Sequence, residues 1–251
     1  MILRAAACTD VGLRRSSNED CYALAGDLGL YLVADGMGGH SAGQVASELA
    51  AESAVRALRA LEGATASLAE KLRYALAAAN REIFTRSQAE QRLAGMGTTL
   101  VALLAGGGRI ALAHVGDSRA YLVRQARVRQ LTDDHSLVAE LVRRREISED
   151  AARGHPHRHV LTRALGVRAR VEPDLAELTP APDDTFVLCS DGLTGHVDDQ
   201  EIAKAVSDGA DLEAICDGLV ELANSRGGTD NTTVVVVRCE GTDDVAKEGA
   251  G

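Results

Sequence analysis

Gly29-Leu30-Tyr31-Leu32-Val33-Ala34-Asp35-Gly36-Met37-Gly38-Gly39 is the stretch on which the fold turns. Gly29–Ala34 is a short, nearly continuous apolar run, as expected of a buried strand, and it stops at an Asp-Gly pair. Upstream, Leu3–Cys8 reads as a first strand. Downstream, Ser41 with Gln44 and Ser67 with Glu70 have capping-box spacing, so two helices follow, separated at Gly63. The second carries Leu68, Leu72, Leu76, Ala79 and Ile83 on one face. Strand-like runs then dominate at Thr98–Ala105, Ile110–Val115, Ala120–Val123 and Val128–Leu131, with Gly106-Gly107-Gly108 marking a tight hairpin between the first two. Residues 133–170 are polar, rich in Arg and His and weakly periodic, an irregular excursion with short helices.

Strands return at Val171–Leu178 and Thr185–Cys189, and two more helices follow. Asp211 caps the second, whose apolar stripe is Leu212, Ile215, Leu219 and Leu222. Thr232–Arg238 reads as a central strand, and residues 241–251 as a disordered polar tail. Strands at both ends with paired helices between them predict a layered α+β domain over residues 1–240, with helices covering the outer faces of sheets.

A chain of 251 residues is long enough for one large domain with a substantial core. Its net charge of −10 argues against a general nucleic-acid binder, and an aromatic content of 2% leaves little for base stacking. The cysteines, Cys8, Cys21, Cys189, Cys216 and Cys239, are odd in number and lack a CxxC pair, so neither a disulfide framework nor a zinc ribbon is expected. Cys189 reads as a small buried hydrophobe. No apolar run reaches transmembrane length and no targeting signal is evident, so a cytoplasmic protein without membrane partners is expected.

The chemistry lies in Asn18-Glu19-Asp20, Asp35-Gly36, Ser190-Asp191-Gly192 and Asp230-Asn231, with Asp117 after the run Ile110–Val115. Strands pairing in one sheet bring such distant motifs together. Carboxylates that converge without matching cations repel one another, and a divalent cation is the usual remedy. Hard oxygen ligands favour Mg²⁺ or Mn²⁺ over zinc. The pattern therefore predicts a metal-dependent hydrolase. Glycine after Asp35 is expected to let the backbone turn sharply and free a carbonyl as a further ligand. Arg15, four residues before Glu19, offers a planar fork to phosphate oxygens, although adjacent Arg14 leaves that choice open.

Duller readings stand beside these. A lone Asp-Gly is ordinarily a turn. Gly38-Gly39 matches neither GxGxxG nor a Walker loop. His155, His157 and His159 suggest a solvated loop before a soft-metal site, and His114 a structural histidine.

Taken together, R-x-x-x-E-D (Arg15 to Asp20), DGMGGH (Asp35 to His40), GTT (Gly97 to Thr99), HVGDSRAY (His114 to Tyr121), LTDDHS (Leu131 to Ser136), LTRALG (Leu161 to Gly166), SDGL (Ser190 to Leu193) and GGTDNTT (Gly227 to Thr233) resemble the metal-dependent serine/threonine protein phosphatases, the PPM or type 2C family, in its compact bacterial form. The resemblance runs from about Thr9 to Val237. It implies a central antiparallel β-sandwich flanked by antiparallel α-helix pairs, with two Mn²⁺ or Mg²⁺ ions in a cleft at one end.

By that resemblance Asp35 bridges the ions, the Gly36 carbonyl binds one of them, Glu19 reaches one directly or through water, and Asp20 supports the shell. Asp191 and Asp230 hold the other, Asp117 matches the ligand of a third, weaker site that shares Asp191, and Arg15 matches the phosphate-binding arginine. A metal-bridging hydroxide would attack phosphoserine or phosphothreonine in line. Residues 137–165 match the flap used in substrate contact. Met37 stands where many eukaryotic relatives place a histidine proposed as general acid, which leaves that role to a metal-bound water ahead of nearby His40. His159-Val160 replaces an Asn-Val common before LTRALG.

The implied partners are phosphorylated proteins and an opposing Ser/Thr kinase, with Arg143, Arg144 and Arg145 as a local docking patch. A monomer is expected. A non-catalytic binding module and a hydrolase of small phosphoesters remain as other classes.

Overall fold

The structure, a computed structural model, describes residues 2–38 and 42–241. In chain order its elements are β1 (Ile2–Asp10), β2 (Asp20–Ala25), β3 (Leu30–Met37), α1 (Ala42–Arg59), α2 (Leu68–Ala89), β4 (Gly97–Thr98), β5 (Leu100–Gly106), β6 (Arg109–Val115), β7 (Arg119–Arg124), β8 (Arg127–Gln130), α3 (Leu137–Arg143), α4 (Glu149–Arg153), β9 (Asp174–Leu178), β10 (Thr185–Cys189), α5 (Asp191–Thr194), α6 (Asp199–Ser207), α7 (Leu212–Ser225) and β11 (Thr232–Glu240). One sheet has the order β1-β11-β10-β7-β8; the other runs β2-β3-β5-β6-β9, with β4 pairing β3. The strand pairs are antiparallel.

Period-two alternation explains why the decisive stretch is apolar throughout. On β3, Leu30, Leu32 and Ala34 pack with Leu72, Leu76 and Ile83 of α2. Tyr31 and Val33 face the other way and meet Phe186, Leu188, Val235 and Val237 of the opposite sheet. On β11, Val234 and Val236 pack with Ile215 and Leu219 of α7. Four layers result: α1/α2, sheet, sheet, α6/α7. A fully buried Leu or Val contributes about 1.5–3 kcal/mol relative to exposure, so the three interleaved clusters supply the fold's driving force.

Local signals agree with this frame. Ser67 and Glu70 form a full capping box at α2, and Asp211 caps α7 through Ala214 N–H. Gly107 and Gly108 both have positive φ in the two-residue β5–β6 loop, as a type I′ hairpin requires. β11 is an interior strand, paired with β1 on one side and β10 on the other, and Cys189 is fully buried. Three details differ from expectation. The run at Thr98–Ala105 is broken at Thr99 into β4 and β5, the strand expected from Val171 starts only at Asp174, and one turn of helix, α5, follows Ser190. The capping position Ser41, the glycine Gly39, His40 and the tail beyond Gly241 lie outside the described residues.

Candidate active site

The two sheets bring the acidic motifs to one end of the sandwich. Asp20 opens β2 and is the register partner of Asp35 on β3. Asp191 opens α5 directly after β10, Asp230 precedes β11, and Asp117 lies in the β6–β7 turn.

Asp35 is held by its main chain. Its N–H donates to Thr99 Oγ1 at 3.0 Å, and its carbonyl accepts from Thr99 N–H and Thr98 Oγ1, both at 2.8 Å. Thr99 Oγ1 and Ser118 Oγ lie 2.6 Å apart, so the same threonine joins Asp35 to the turn that carries Asp117. The sharp turn expected at Asp35-Gly36 does not occur, because β3 continues through both residues to Met37 and Gly36 is not in the left-handed region. Glycine is needed there for close approach instead. A Cβ on Gly36 would collide with the Gly43 carbonyl of α1 and lie 2.6 Å from the Glu19 carbonyl. Gly43 likewise leaves room for the Glu19 carboxylate, which occupies the place of its missing Cβ.

A polar web fixes the other motifs. Ser190 Oγ donates to Asp20 Oδ2 at 2.7 Å and accepts from Thr233 N–H at 2.9 Å. Asn231 accepts from Glu19 N–H at 2.8 Å and donates to the carbonyls of Val11 and Ser17, both at 2.9 Å, pinning the loop that carries Arg15. Arg15 Nη2 bonds Asp230 Oδ2 at 2.6 Å. Arg15, not Arg14, therefore reaches the cluster, where Asp230, Glu19 and Asp35 all favour its charged form. His159 of the excursion approaches Asp191 Oδ2 at 3.8 Å through Nδ1.

The electrostatics are unfavourable to the protein alone. Burial, followed by Asp20, Asp191, Asp117 and Asp230, raises the Asp35 carboxyl well above its ordinary range. Burial foremost pushes Asp20 up to about 7 despite hydrogen bonds from Ser190 and Thr233. Asp117 is also pushed up to about 7, by burial and then by Asp191 and Asp134. Asp20 Oδ1 is buried with no hydrogen-bond partner among the described residues. Converging hard oxygens, crowded and under-compensated, fit divalent Mn²⁺ or Mg²⁺.

A second cluster, His114, His135 and Asp174, has the spacing of a metal site but the wrong chemistry. The imidazole rings stack at 15° with centroids 4.6 Å apart, so their in-plane lone pairs cannot converge on one ion at about 2.0–2.1 Å. Gly116 N–H donates to His135 Nδ1 at 3.1 Å, which leaves the proton on Nε2, 3.3 Å from Asp174. His114 Nε2 bonds the Asp133 carbonyl at 2.9 Å, the structural role expected of it.

The structure also sorts the excursion. His155 and His157 are a tilted surface pair, and only His159 nears the carboxylates. Arg143-Arg144-Arg145 is not one free patch: Arg144 pairs with Glu140 at 3.7 Å, and Arg143 donates to the Asp134 carbonyl at 3.3 Å. The sequence reading assigns no role to the supporting residues Thr98, Thr99, Ser118, Ser190, Asn231 and Gly43. All but Gly43 lie inside the quoted motifs, and their hydroxyl and amide chemistry was the available signal.

The protein phosphatase 2C family model matches residues 9–232. The chain is 43% identical over 238 residues to the serine/threonine phosphatase stp of Listeria monocytogenes, covering 91% of this chain and 93% of that protein. The crystal structure of the Mycobacterium tuberculosis serine/threonine phosphatase PstP/Ppp superimposes with a TM-score of 0.87 at 40% identity, covering 96% of this chain and 100% of that one. The catalytic domain of PstP in complex with two manganese ions superimposes with a TM-score of 0.84 at 39% identity, over 95% and 99% of the two chains. A buried carboxylate cluster at the end of a helix-flanked β-sandwich and a match over most of its length lead to one conclusion: this chain belongs to the protein phosphatase 2C family.

Proposed function

We propose that the protein is a Mn²⁺- or Mg²⁺-dependent phosphatase that hydrolyses phosphoserine and phosphothreonine in proteins. The observation that carries this reading is the convergence of Asp20, Asp117, Asp191 and Asp230 on buried Asp35. Asp35, the Gly36 carbonyl, Glu19, Asp191 and Asp230 are the residues that would hold two ions. Asp117 with Asp191 would hold a third, weaker one, and Asp20 supports them from below. When bound, the ions polarise phosphoryl oxygens and make water nucleophilic near neutral pH.

The chain's own residues supply the rest. Arg15 is half-exposed and, among the described residues, is held only by Asp230, so its guanidinium can exchange that carboxylate for two oxygens of an incoming phosphoryl group. That contact orients phosphorus and stabilises charge on its equatorial oxygens in the transition state. The Thr98–Thr99 clamp keeps Asp35 in place throughout. Residues 1–240 act as one catalytic domain. The protein works as a monomer in the cytoplasm against a Ser/Thr kinase; among the described residues no helix is long and apolar enough to cross a membrane.

The test is phosphate release from a phosphothreonine peptide with Mn²⁺, then with chelator, beside Asp35→Asn. Turnover is expected to vanish on chelation and to fall more than about a hundredfold in the variant. Turnover indifferent to chelator would sink the metal reading. An inert, folded, Mn²⁺-loaded wild type would favour a non-catalytic module.

A further inference from the structure

The chain is strongly acidic, yet residues 137–170 carry eight arginines against four carboxylates, a local +4 in a chain of −10. Several of these arginines are already occupied. Arg144 pairs with Glu140, Arg153 with Asp150 and Arg163 with Asp174, and Arg143 bonds a main-chain carbonyl. Arg145, Arg158, Arg168 and Arg170, by contrast, are exposed and make no ion pair or side-chain hydrogen bond among the described residues, and of these Arg168 and Arg170 stand at a bend whose main chain is anchored by a buried side chain.

Their placement is what separates them from a solvated surface charge. Leu165 and Thr98 exchange two main-chain hydrogen bonds, at 2.9 and 3.1 Å, and Thr98 Oγ1 bonds the Asp35 carbonyl. Two residues on, the Val167 Cγ2 methyl lies 2.9 Å from where a Cβ on Gly97 would sit, and Gly97 is the register partner of Met37. The segment beyond is then anchored by Asn80 of α2, a buried amide with all its bonds spent on this bend. Its Oδ1 accepts from Gly166 N–H at 2.8 Å, and its Nδ2 donates to the carbonyls of Arg168 and Ala169 at 3.1 and 3.2 Å. Arg168 therefore stands on a fixed main chain three residues beyond Leu165, whose partner Thr98 bonds Asp35, and Arg170 follows just beyond the anchor. Fixing the main chain removes part of the entropy that an exposed arginine loses on forming an ion pair.

We propose that Arg168 and Arg170 are specificity-determining residues that read carboxylate side chains flanking the phosphorylated residue, so that the preferred substrates are acidic phosphopeptides. The inference rests on the phosphatase reading above and names its substrate class. A phosphoryl group seated against Arg15 leaves the peptide on either side to run over the rim. Asp or Glu side chains there meet fixed positive charge, whereas Lys or Arg side chains meet repulsion. Exposed ion pairs are each worth at most about fivefold in affinity, and salt screens them.

The experiment compares phosphothreonine peptides flanked by Glu, by Ala or by Lys, with para-nitrophenyl phosphate as a substrate lacking flanks, in Mn²⁺ at low and high salt. Wild type is expected to favour the Glu-flanked over the Ala-flanked peptide by about fivefold to twentyfold in kcat/KM, through KM with kcat unchanged, and to lose most of that preference at high salt. Arg168→Glu with Arg170→Glu is expected to abolish or invert the order while leaving para-nitrophenyl phosphate turnover as in wild type. Both substitutions leave the main-chain carbonyls that Asn80 binds, so the bend persists. Equal kcat/KM for the three peptides in wild type, or a preference for Glu that survives the double variant, would overturn the inference. Loss of peptide and para-nitrophenyl phosphate turnover alike in wild type would instead bring down the phosphatase reading, and this one with it.

Discussion

Burial and four neighbouring carboxylates act on Asp35 in the same direction, each favouring its neutral form. Without metal, the carboxylate is a source of instability retained for its use. Asp35→Asn removes a charge at nearly constant volume, so the metal-free variant is expected to unfold at a higher temperature than metal-free wild type at pH 8. The shift should be about 2–4 °C for each kcal/mol of repulsion relieved, read by calorimetry. A variant melting at or below wild type would contradict the repulsion. The same physics sets a pH dependence. Asp20 and Asp117 have folded values of about 7, above the ordinary 3.8, so between those limits the native state binds protons that the unfolded state has released. The stability of the metal-free protein should therefore be full near pH 4, fall as pH rises towards 7 and level off above it. Urea midpoints at pH 5, 6, 7 and 8 would show this. Protons and metal compete for the same oxygens, so Mn²⁺ affinity should rise across that window.

At the scale of elements, the two hairpins β5–β6 and β7–β8 solve one problem with different residues. Gly107 and Gly108 take positive φ in the first without penalty, whereas Gln125 and Ala126 take φ of 51° and 58° in the second. A left-handed residue other than glycine costs about 1–2 kcal/mol. Ala126→Gly should raise stability by about 1 kcal/mol in urea unfolding with activity unchanged, because the turn lies far along β7 from Ser118 and Asp117. The excursion is tethered differently. α3 and α4 bury no residue, but the segment is tied at both ends around His135. That residue bonds Gly116 through its N–H and Nδ1, and its carbonyl accepts from Thr162 N–H at 2.8 Å. Burial, with His114 stacked alongside, keeps His135 below its ordinary pKa, which suits a ring that accepts a hydrogen bond at Nδ1.

For the whole molecule, three apolar clusters in four layers hold a rigid frame, and the acidic end is the part that works against it. Ions that bind only the folded arrangement should stabilise the entire domain. At a hundredfold excess of Mn²⁺ over its Kd the gain is about 2.7 kcal/mol, or about 5–10 °C in Tm. Scanning the protein with Mn²⁺ against chelator would check this; no upward shift would place the ions elsewhere than in a preformed cluster. A net charge of −10 that includes these carboxylates is thus partly a functional charge.

Sequence alone determined the layered α+β architecture, because its evidence is local: doubly apolar runs at Leu30–Ala34 and Thr232–Val237, the helical stripe of α2, and caps at Ser67 and Asp211. It also marked acids that the strand order brings together, since Asp35, Asp191 and Asp230 each stand beside an apolar strand. The tertiary structure decided what depends on neighbours remote in sequence. Arg15 over Arg14 followed from the place of Asp230, 215 residues away. Gly36 proved to be required by Gly43 and Glu19 rather than by a turn, because close approach leaves no mark on local backbone preference. His114, His135 and Asp174 come together only in the fold, where the stacking angle and the Gly116 hydrogen bond give the group a structural role rather than a metal's. Periodicity records burial along one element, whereas the convergence of charges at the end of the sandwich is a property of the strand order.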